Sequence, residues 1–144
     1  MVKDKHILMI EDNEGDVLLT KEALNSGAIP VRISLARDGA EGIEYLENQV
    51  RNANPDLPDL ILLDINLPKK SGHEVLEFIK THNVLKKIPV VMLSTSSSPE
   101  DITSAYAHHA NSFVTKPLDL DNFLYVVTQV KNFWLSISKL PSIF

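Results

Sequence analysis

The stretch that decides the fold is Leu60-Ile61-Leu62-Leu63-Asp64, near the middle of the 144-residue chain. Four consecutive apolar residues followed by an acid are typical of a short strand covered on both faces, as in a buried parallel sheet. Similar runs lie at residues 7–10 and 90–93, and the second of these is entered through Pro89. Since such strands need helices on both sides, the three runs predict an α/β architecture.

Two further strands and a series of helices complete the prediction. Residues 31–35 alternate between apolar and polar side chains, as expected of a half-exposed edge strand, and residues 113–115 suit the opposite edge. Helix candidates separate the strands; they begin near residue 14, span 38–53 and 99–109, and start again at 119. Five repeats of strand and helix predict right-handed crossovers and one doubly wound parallel sheet.

Length and composition indicate one domain without thiol chemistry. The chain has no cysteine, which excludes disulfides, thiolate metal sites and a cysteine nucleophile. Its 14 basic and 19 acidic residues give a formal charge of −5, so neither nucleic acid nor an anionic membrane is an expected partner. No apolar run approaches the ~20 residues of a membrane span. We therefore expect a cytoplasmic protein.

Chemically active side chains follow four of the predicted strands. Glu11 and Asp12 follow the first, Asp64 the third, Ser94 the fourth and Lys116 the fifth. Because ligands bind beyond the carboxyl ends of the strands in such sheets, these side chains are expected to meet. Three carboxylates suit Mg²⁺, while a hydroxyl and an ammonium suit phosphate oxygens. The set predicts phosphoryl transfer, in which a carboxylate can itself be the nucleophile.

Each of these residues taken alone has an ordinary structural explanation. An aspartate after a strand is commonly a turn residue or a helix cap, and a Lys-Pro pair commonly marks a turn. Their joint placement at the ends of four strands is what favours a functional site over these explanations.

The sequence resembles the receiver domains of two-component response regulators. The resemblance is carried by residues 7–13, 62–68 with Gly72, 89–94 and 113–117, and it spans about residues 5–130. Residues 110–114, 116–123, 133–135 and 139–141 are similar to the small receiver-only regulators that partner phytochrome-type histidine kinases. The resemblance implies a flavodoxin-like (βα)5 fold with strand order 2-1-3-4-5.

The resemblance also implies a role for each site residue. Asp64 would accept a phosphoryl group from a histidine kinase, and Lys116 would contact that group. Mg²⁺ would be bound by Glu11, Asp12, Asp64 and the backbone carbonyl of Asn66. The chain would thus be a phosphoacceptor that catalyses only its own phosphorylation and dephosphorylation.

Three residues match the positions through which receiver domains change conformation. Ser94 matches the hydroxyl residue that turns toward the phosphoryl group, Phe113 the aromatic switch position, and Pro117 a proline usually preceded by a cis peptide bond. The signal would leave by protein contact through the face formed by helix 4, strand 5 and helix 5, around residues 99–109 and Phe113. Glu11 stands where an aspartate is commoner and Ser94 where a threonine is more frequent, which bears on the lifetime of the phosphoryl group.

We expect residues 1–144 to form a single receiver domain with an apolar C-terminal extension at about 133–144. The last 22 residues hold five of the nine aromatic residues, of which Phe123 is expected to lie in the core. Aromatic residues are enriched at interfaces, so the extension is predicted to form a homodimer or partner surface. The interface candidates are Phe133, Trp134 and Leu135.

Two other functions use the same residues. A Mg²⁺-dependent phosphatase with Asp64 as nucleophile would usually have an acid two residues later, where this chain has Asn66. An interaction module that is never phosphorylated would not need the complete set of site residues. Phosphotransfer from candidate kinases separates these functions from that of a response regulator.

Overall fold

The computed structural model describes residues 4–142, and strands alternate with helices throughout this range. The strands are β1 (Lys5–Ile10), β2 (Val31–Ala36), β3 (Leu60–Leu63), β4 (Val90–Ser94) and β5 (Ser112–Thr115). The helices are α1 (Glu14–Asn25), α2 (Gly39–Arg51), α3 (Gly72–Thr81), α4 (Pro99–Ala107) and α5 (Leu120–Asn132). A 3₁₀ turn at Leu85–Lys87 precedes β4, and a π-helical turn at Phe133–Ile137 continues α5. The five predicted repeats of strand and helix are confirmed.

The five strands are parallel and lie in the order β2-β1-β3-β4-β5, which confirms the flavodoxin-like topology. In the sheet register, Ile10 lies between Ala36 on one side and Leu63 on the other, and Ser94 lies opposite Thr115. The carboxyl ends of β1, β2 and β3 are therefore level. Residues that follow these strands emerge side by side at one edge of the sheet.

The core consists of two apolar layers, one on each face of the sheet. Because successive side chains of a strand point to opposite faces, Ile61 and Leu63 pack with α2 and α3, while Leu60 and Leu62 pack with α1 and α5. All four side chains are buried. Phe123 lies in the second layer, as expected. Burial on both faces explains why the central strands read as unbroken apolar runs.

Each helix begins at a residue whose side chain accepts a hydrogen bond from the backbone N–H three residues later. These residues are Asn13, Asp38, Ser71, Ser98 and Asp119. Such N-caps satisfy N–H groups that have no partner within the helix and so determine where it starts. The longest of these helices have 13 residues, and within residues 4–142 no helix is long and apolar enough to cross a membrane.

Two helices are shorter than the apolar pattern predicts. Helix α2 lies within the predicted range 38–53, and α4 ends at Ala107 instead of 109. His109 has a φ of 69°, in the left-handed region, and this conformation ends the helical backbone before the apolar pattern ends. The first and last residues of the predicted domain, 1–3 and 143–144, lie outside the described residues.

Candidate functional site

The sheet brings Glu11, Asp64 and Lys116 together, although they follow three different strands. The Glu11 N–H donates to the carbonyl of the last residue of β2 at 3.0 Å, and the Asp64 N–H donates to that of β1 at 3.1 Å. The Lys116 N–H donates to the carbonyl of the last residue of β4 at 2.7 Å. The sheet hydrogen bonding thus continues one residue beyond the strands and holds the backbone of all three residues.

The Lys116 ammonium is the centre of the site. Its Nζ donates to Glu11 Oε1 at 2.8 Å, to Asp16 Oδ2 at 2.9 Å and to Asp64 Oδ2 at 3.3 Å. An ammonium carries three N–H donors, so these three carboxylates use all of them. The Lys116 side chain is only 4% exposed, and burial of its charge is tolerated because it is fully paired.

The charges of the site shift two pKa values. Burial, together with the hydrogen bond and charge of Asp64, raises the pKa of Glu11 to about 9, although Lys116 acts in the opposite direction. Burial alone would lower the pKa of Lys116, but its hydrogen bonds to Glu11 and Asp16 and the charge of Asp64 raise it. Crowding of acids is therefore relieved partly by the ammonium and partly by a proton on Glu11.

The acids also form a group that fits a divalent cation. Glu11, Asp12 and Asp64 each offer one carboxylate oxygen, and these oxygens lie within 4.8 Å of one another. A compact, oxygen-only donor set with excess negative charge suits a hard divalent ion. The Asn66 N–H lies 3.4 Å from Asp64 Oδ1, so the loop that carries the predicted carbonyl ligand folds over the acid.

The Ser94 hydroxyl is held within its own loop. Ser94 is fully buried at the end of β4, and its Oγ accepts a hydrogen bond from the Ser96 N–H at 3.2 Å. The Ser96 hydroxyl in turn donates to Asp101, and Asp101 lies 3.1 Å from His73 Nε2. The loop is therefore connected to α4 and α3. The sequence pattern does not predict this contact of His73 with Asp101, because their separation of 28 residues leaves no local signal.

The other predicted switch residues lie on β5 and just after it. Phe113 is partly buried, and its N–H donates to the Tyr106 hydroxyl at 3.1 Å, which joins β5 to α4. Every peptide bond within residues 4–142 is trans, so the cis bond expected before Pro117 is not found. The two isomers of an X–Pro bond differ intrinsically by only about 0.5–1 kcal/mol, so a Lys-Pro motif does not determine the isomer by itself.

Asp16 is a site residue that the sequence pattern did not predict. It lies in the first turn of α1, where an acid is also favoured by the helix dipole. Its carboxylate reaches Lys116, which is 100 residues away in the chain. The local signal in the sequence is that Asp16 follows Glu11, Asp12 and Glu14 as a fourth acid, just inside a predicted helix.

The three residues predicted to form a C-terminal interface do not lie on one face: Phe133 is exposed, whereas Leu135 is buried. Phe133 is 49% exposed, and its ring packs edge to face with that of Trp134 at a centroid distance of 5.2 Å. The two rings line an open groove of about 490 Å³ beside Ser112 and Gln129. Leu135 is only 8% exposed and packs in the core, so its prediction as an interface residue is wrong. Consecutive residues of a helical turn point in different directions, so the three cannot share one outer face.

The fold and this site together define a doubly wound α/β domain whose sheet edge carries an acidic, cation-fitting cluster around one buried lysine. The chain belongs to the response regulator receiver domain family, whose model matches residues 7–128. Members are signalling domains rather than conventional enzymes; they partner histidine kinases and bind a divalent metal. The predicted family is confirmed.

Several relatives match nearly the whole chain. The response regulator Rcp1 of Synechocystis sp. is 40% identical over 138 residues, which cover 96% of this chain and 94% of that protein. The probable methanogenesis regulatory protein FilR2 of Methanothrix harundinacea is 38% identical over 135 residues, covering 94% and 86% of the two chains.

Two solved structures show the same architecture. The phosphorylated cyanobacterial phytochrome response regulator RcpA superposes with a TM-score of 0.92 at 45% identity, covering 97% of this chain and 100% of that one. The Mn²⁺-bound form of Rcp1 superposes with a TM-score of 0.89 at 40% identity, covering 96% and 99%.

Proposed function

We propose that this protein is a response regulator that accepts a phosphoryl group from a histidine kinase on Asp64, with Mg²⁺ bound by Glu11, Asp12, Asp64 and the carbonyl of Asn66. The observation that carries the proposal is the contact of buried Lys116 Nζ with Asp64 Oδ2 at 3.3 Å, inside an acidic cluster at the carboxyl edge of the sheet. A nucleophilic carboxylate with a cation beside it has the parts that phosphoryl transfer requires.

The transfer follows from the contacts of Asp64. One carboxylate oxygen of Asp64 attacks the phosphorus of the phosphohistidine, the P–N bond breaks, and the imidazole leaves with the electron pair. The product is an acyl phosphate on Asp64. Lys116 can donate to the incoming oxygens from the position where it now contacts Asp64. Bound Mg²⁺ would supply further neutralisation of phosphoryl charge.

Dephosphorylation reverses the modification without regenerating the donor. A water molecule attacks the phosphorus, the bond between phosphorus and the Asp64 oxygen breaks, and inorganic phosphate leaves. The Asp64 side chain is only 10% exposed, so the protein restricts the approach of that water. Phosphoryl lifetime therefore depends on the side chains that surround Asp64.

The proposed switch acts through Ser94, Phe113 and Pro117. The Ser94 hydroxyl would exchange its present bond with the Ser96 N–H for one with the phosphoryl group. Movement of that loop would act on α4 and, through the bond between Tyr106 and the Phe113 N–H, on β5. Phosphorylation then shifts an equilibrium of two states of the face formed by α4, β5 and α5.

The proposed kinase partner is of the phytochrome type. Similarity to RcpA, whose structure is described as that of a phytochrome response regulator, supports this type and a light-responsive pathway. Leu18 on α1 and Leu118 in the segment between β5 and α5 are exposed apolar side chains that offer contacts to a protein partner. A cytoplasmic location stays a prediction from the sequence.

We further propose that two copies of the chain associate through the exposed part of the C-terminal surface. Phe133 and Trp134 supply aromatic side chains beside an open groove, which suits an interface anchor. The extent of the receiver domain, 1–144, and of its extension, about 133–144, remain predictions. The helical backbone continues without a break from α5 into the turn at Phe133–Ile137.

Incubation with acetyl phosphate and Mg²⁺, followed by intact-mass spectrometry, tests the phosphoacceptor assignment. The parent protein should gain the mass of one phosphoryl group, and Asp64→Asn should gain none. Asp121→Asn, which changes an exposed acid of α5, is the matched control and should behave as the parent does. Equal phosphorylation of Asp64→Asn and the parent would refute the assignment.

A further inference from the structure

We propose that Asp16 is a positioning residue for phosphoryl transfer, acting through Lys116. The inference rests on the proposed function, because it assigns a role within the same reaction. Asp16 Oδ2 accepts from Lys116 Nζ at 2.9 Å, a shorter contact than the 3.3 Å between Lys116 and Asp64.

The need for positioning follows from the chemistry of lysine. Its ammonium is a point charge on a flexible four-carbon stem, so its direction is not determined by the side chain itself. Glu11 and Asp16 each take one of the three N–H donors of Lys116, from two successive elements: the end of β1 and the first turn of α1. With two donors held, the third is directed at Asp64.

The backbone of Asp16 is fixed at the start of α1. The side chain of Asn13 accepts a hydrogen bond from the Asp16 N–H at 2.9 Å and thereby closes the first turn of α1. The Asp16 side chain is 25% exposed, whereas that of Glu11 is 5% exposed. Asp16 therefore keeps its own hydration in part while it contacts the buried ammonium.

The contact of Lys116 with Asp64 changes during the reaction, whereas the other two contacts can persist. When the Asp64 oxygen forms its bond to phosphorus, the N–H that pointed to the carboxylate becomes available to a phosphoryl oxygen. The bonds to Glu11 and Asp16 then keep the ammonium beside the transferring group. The geometry is prepared before the reaction, which is the arrangement that lowers an activation barrier.

A different role for Asp16 predicts the opposite result. If its charge merely adds to the negative field of the site, removal of the charge should attract the anionic phosphodonor and accelerate phosphorylation. If the acid only stabilises the start of α1, its removal should affect unfolding and leave the reaction rate unchanged. Positioning alone predicts slower phosphorylation in a protein that stays folded.

The experiment measures phosphorylation of Asp64 by acetyl phosphate with Mg²⁺ in the full chain, as a function of donor concentration. Asp16→Ala should lower the maximal rate about tenfold and leave the half-saturating donor concentration unchanged. Asp16→Asn keeps an oxygen acceptor and should recover part of the rate. Glu22→Ala, which removes an exposed acid from the same helix, is the control and should match the parent. Circular dichroism verifies that each variant is folded.

A double-mutant comparison tests whether Asp16 acts through Lys116. In the Lys116→Met background, followed for hours by mass spectrometry, Asp16→Ala should change the rate by less than about twofold. A parent-like or faster rate for Asp16→Ala alone, or an undiminished effect in the Lys116→Met background, would overturn the inference. If the parent takes up no phosphoryl group on Asp64, the proposed function fails instead, so the two failures are distinguishable.

Discussion

The buried acid Glu11 should make the metal-free protein less stable at neutral pH than a variant that cannot ionise there. Glu11 has its pKa raised from 4.5 to about 9 by burial and by Asp64, so folding favours its protonated form. For an acid whose pKa is higher in the folded state, the contribution of the protonated form to the free energy of unfolding is complete below the unfolded pKa. This contribution is lost as pH rises from 4.5 toward 9. The substitution Glu11→Gln keeps the shape and an oxygen acceptor for Lys116 but removes the ionisation.

The size of the effect follows from the shift. At pH 7 only the part of the shift between the unfolded pKa of 4.5 and pH 7 destabilises the protein, which is about 2.5 pKa units. One unit corresponds to about 1.36 kcal/mol, so the destabilisation at pH 7 is about 3 kcal/mol. The Glu11 side chain is 5% exposed, so solvent screening reduces this little. Metal-free Glu11→Gln should therefore exceed the parent by about 3 kcal/mol in free energy of unfolding near pH 7 and by less than about 1 kcal/mol near pH 5.

Urea unfolding followed by circular dichroism, with a chelator present, measures these differences, and Glu22→Gln serves as the control. Saturating Mg²⁺ should stabilise the parent more than Glu11→Gln, since the variant lacks one proposed ligand. A metal-free Glu11→Gln protein that is less stable than the parent near pH 7, or a difference independent of pH, would refute the reasoning. The acid that is proposed to bind metal would then not be under electrostatic strain.

Three further predictions concern the rest of the molecule. Leu135→Ala should lower the free energy of unfolding, measured with urea, by about 3 kcal/mol because it leaves a cavity in the core. Phe133→Ala removes an exposed side chain and should lower the same free energy by less than about 1 kcal/mol. Phe133→Ala should also weaken dimerisation, measured by sedimentation. A mass that stays monomeric in both phosphorylation states would contradict the dimer. Lys131 is buried and donates to two carbonyls at the end of α1, so Lys131→Met should destabilise the fold by about 2 kcal/mol in the same assay. Burial lowers the pKa of His6 below 6.5, so the contribution of neutral His6 to stability is complete above pH 6.5 and is lost as pH falls through the folded pKa. The free energy of unfolding of His6→Gln should therefore depend less on pH in this range than that of the parent. Equal pH dependence of the two proteins would contradict this prediction.

Much of the site could be predicted because it lies close to features that are local in sequence. The run Leu60–Leu63 is the whole of β3, and Asp64 follows it directly. The ends of parallel strands meet at one edge, so the proximity of Glu11 to Asp64 follows from the alternation of strands and helices. The family resemblance supplied the strand order and the separate roles of Ser94 and Lys116.

The contacts of Asp16 and the burial of Leu135 could not be predicted in this way. Asp16 looks like an ordinary acid at the start of a helix, and its role depends on the distance from α1 to the loop after β5. Leu135 follows two aromatic residues that are at least partly exposed, and its direction depends on how the turn at Phe133–Ile137 packs against the sheet. An apolar side chain can serve a core or an interface, and its residue type does not distinguish them.

By itself, the sequence determined the α/β class, the number of repeats and the edge of the sheet where the candidate site lies. These properties follow from apolar periodicity and strand direction, which act over a few residues at a time. Only the tertiary structure decided that Lys116 is shared among three carboxylates and that Glu11 carries a strongly raised pKa. Electrostatic energies depend on distance and burial, and both are set here by elements 52 to 105 residues apart in the chain.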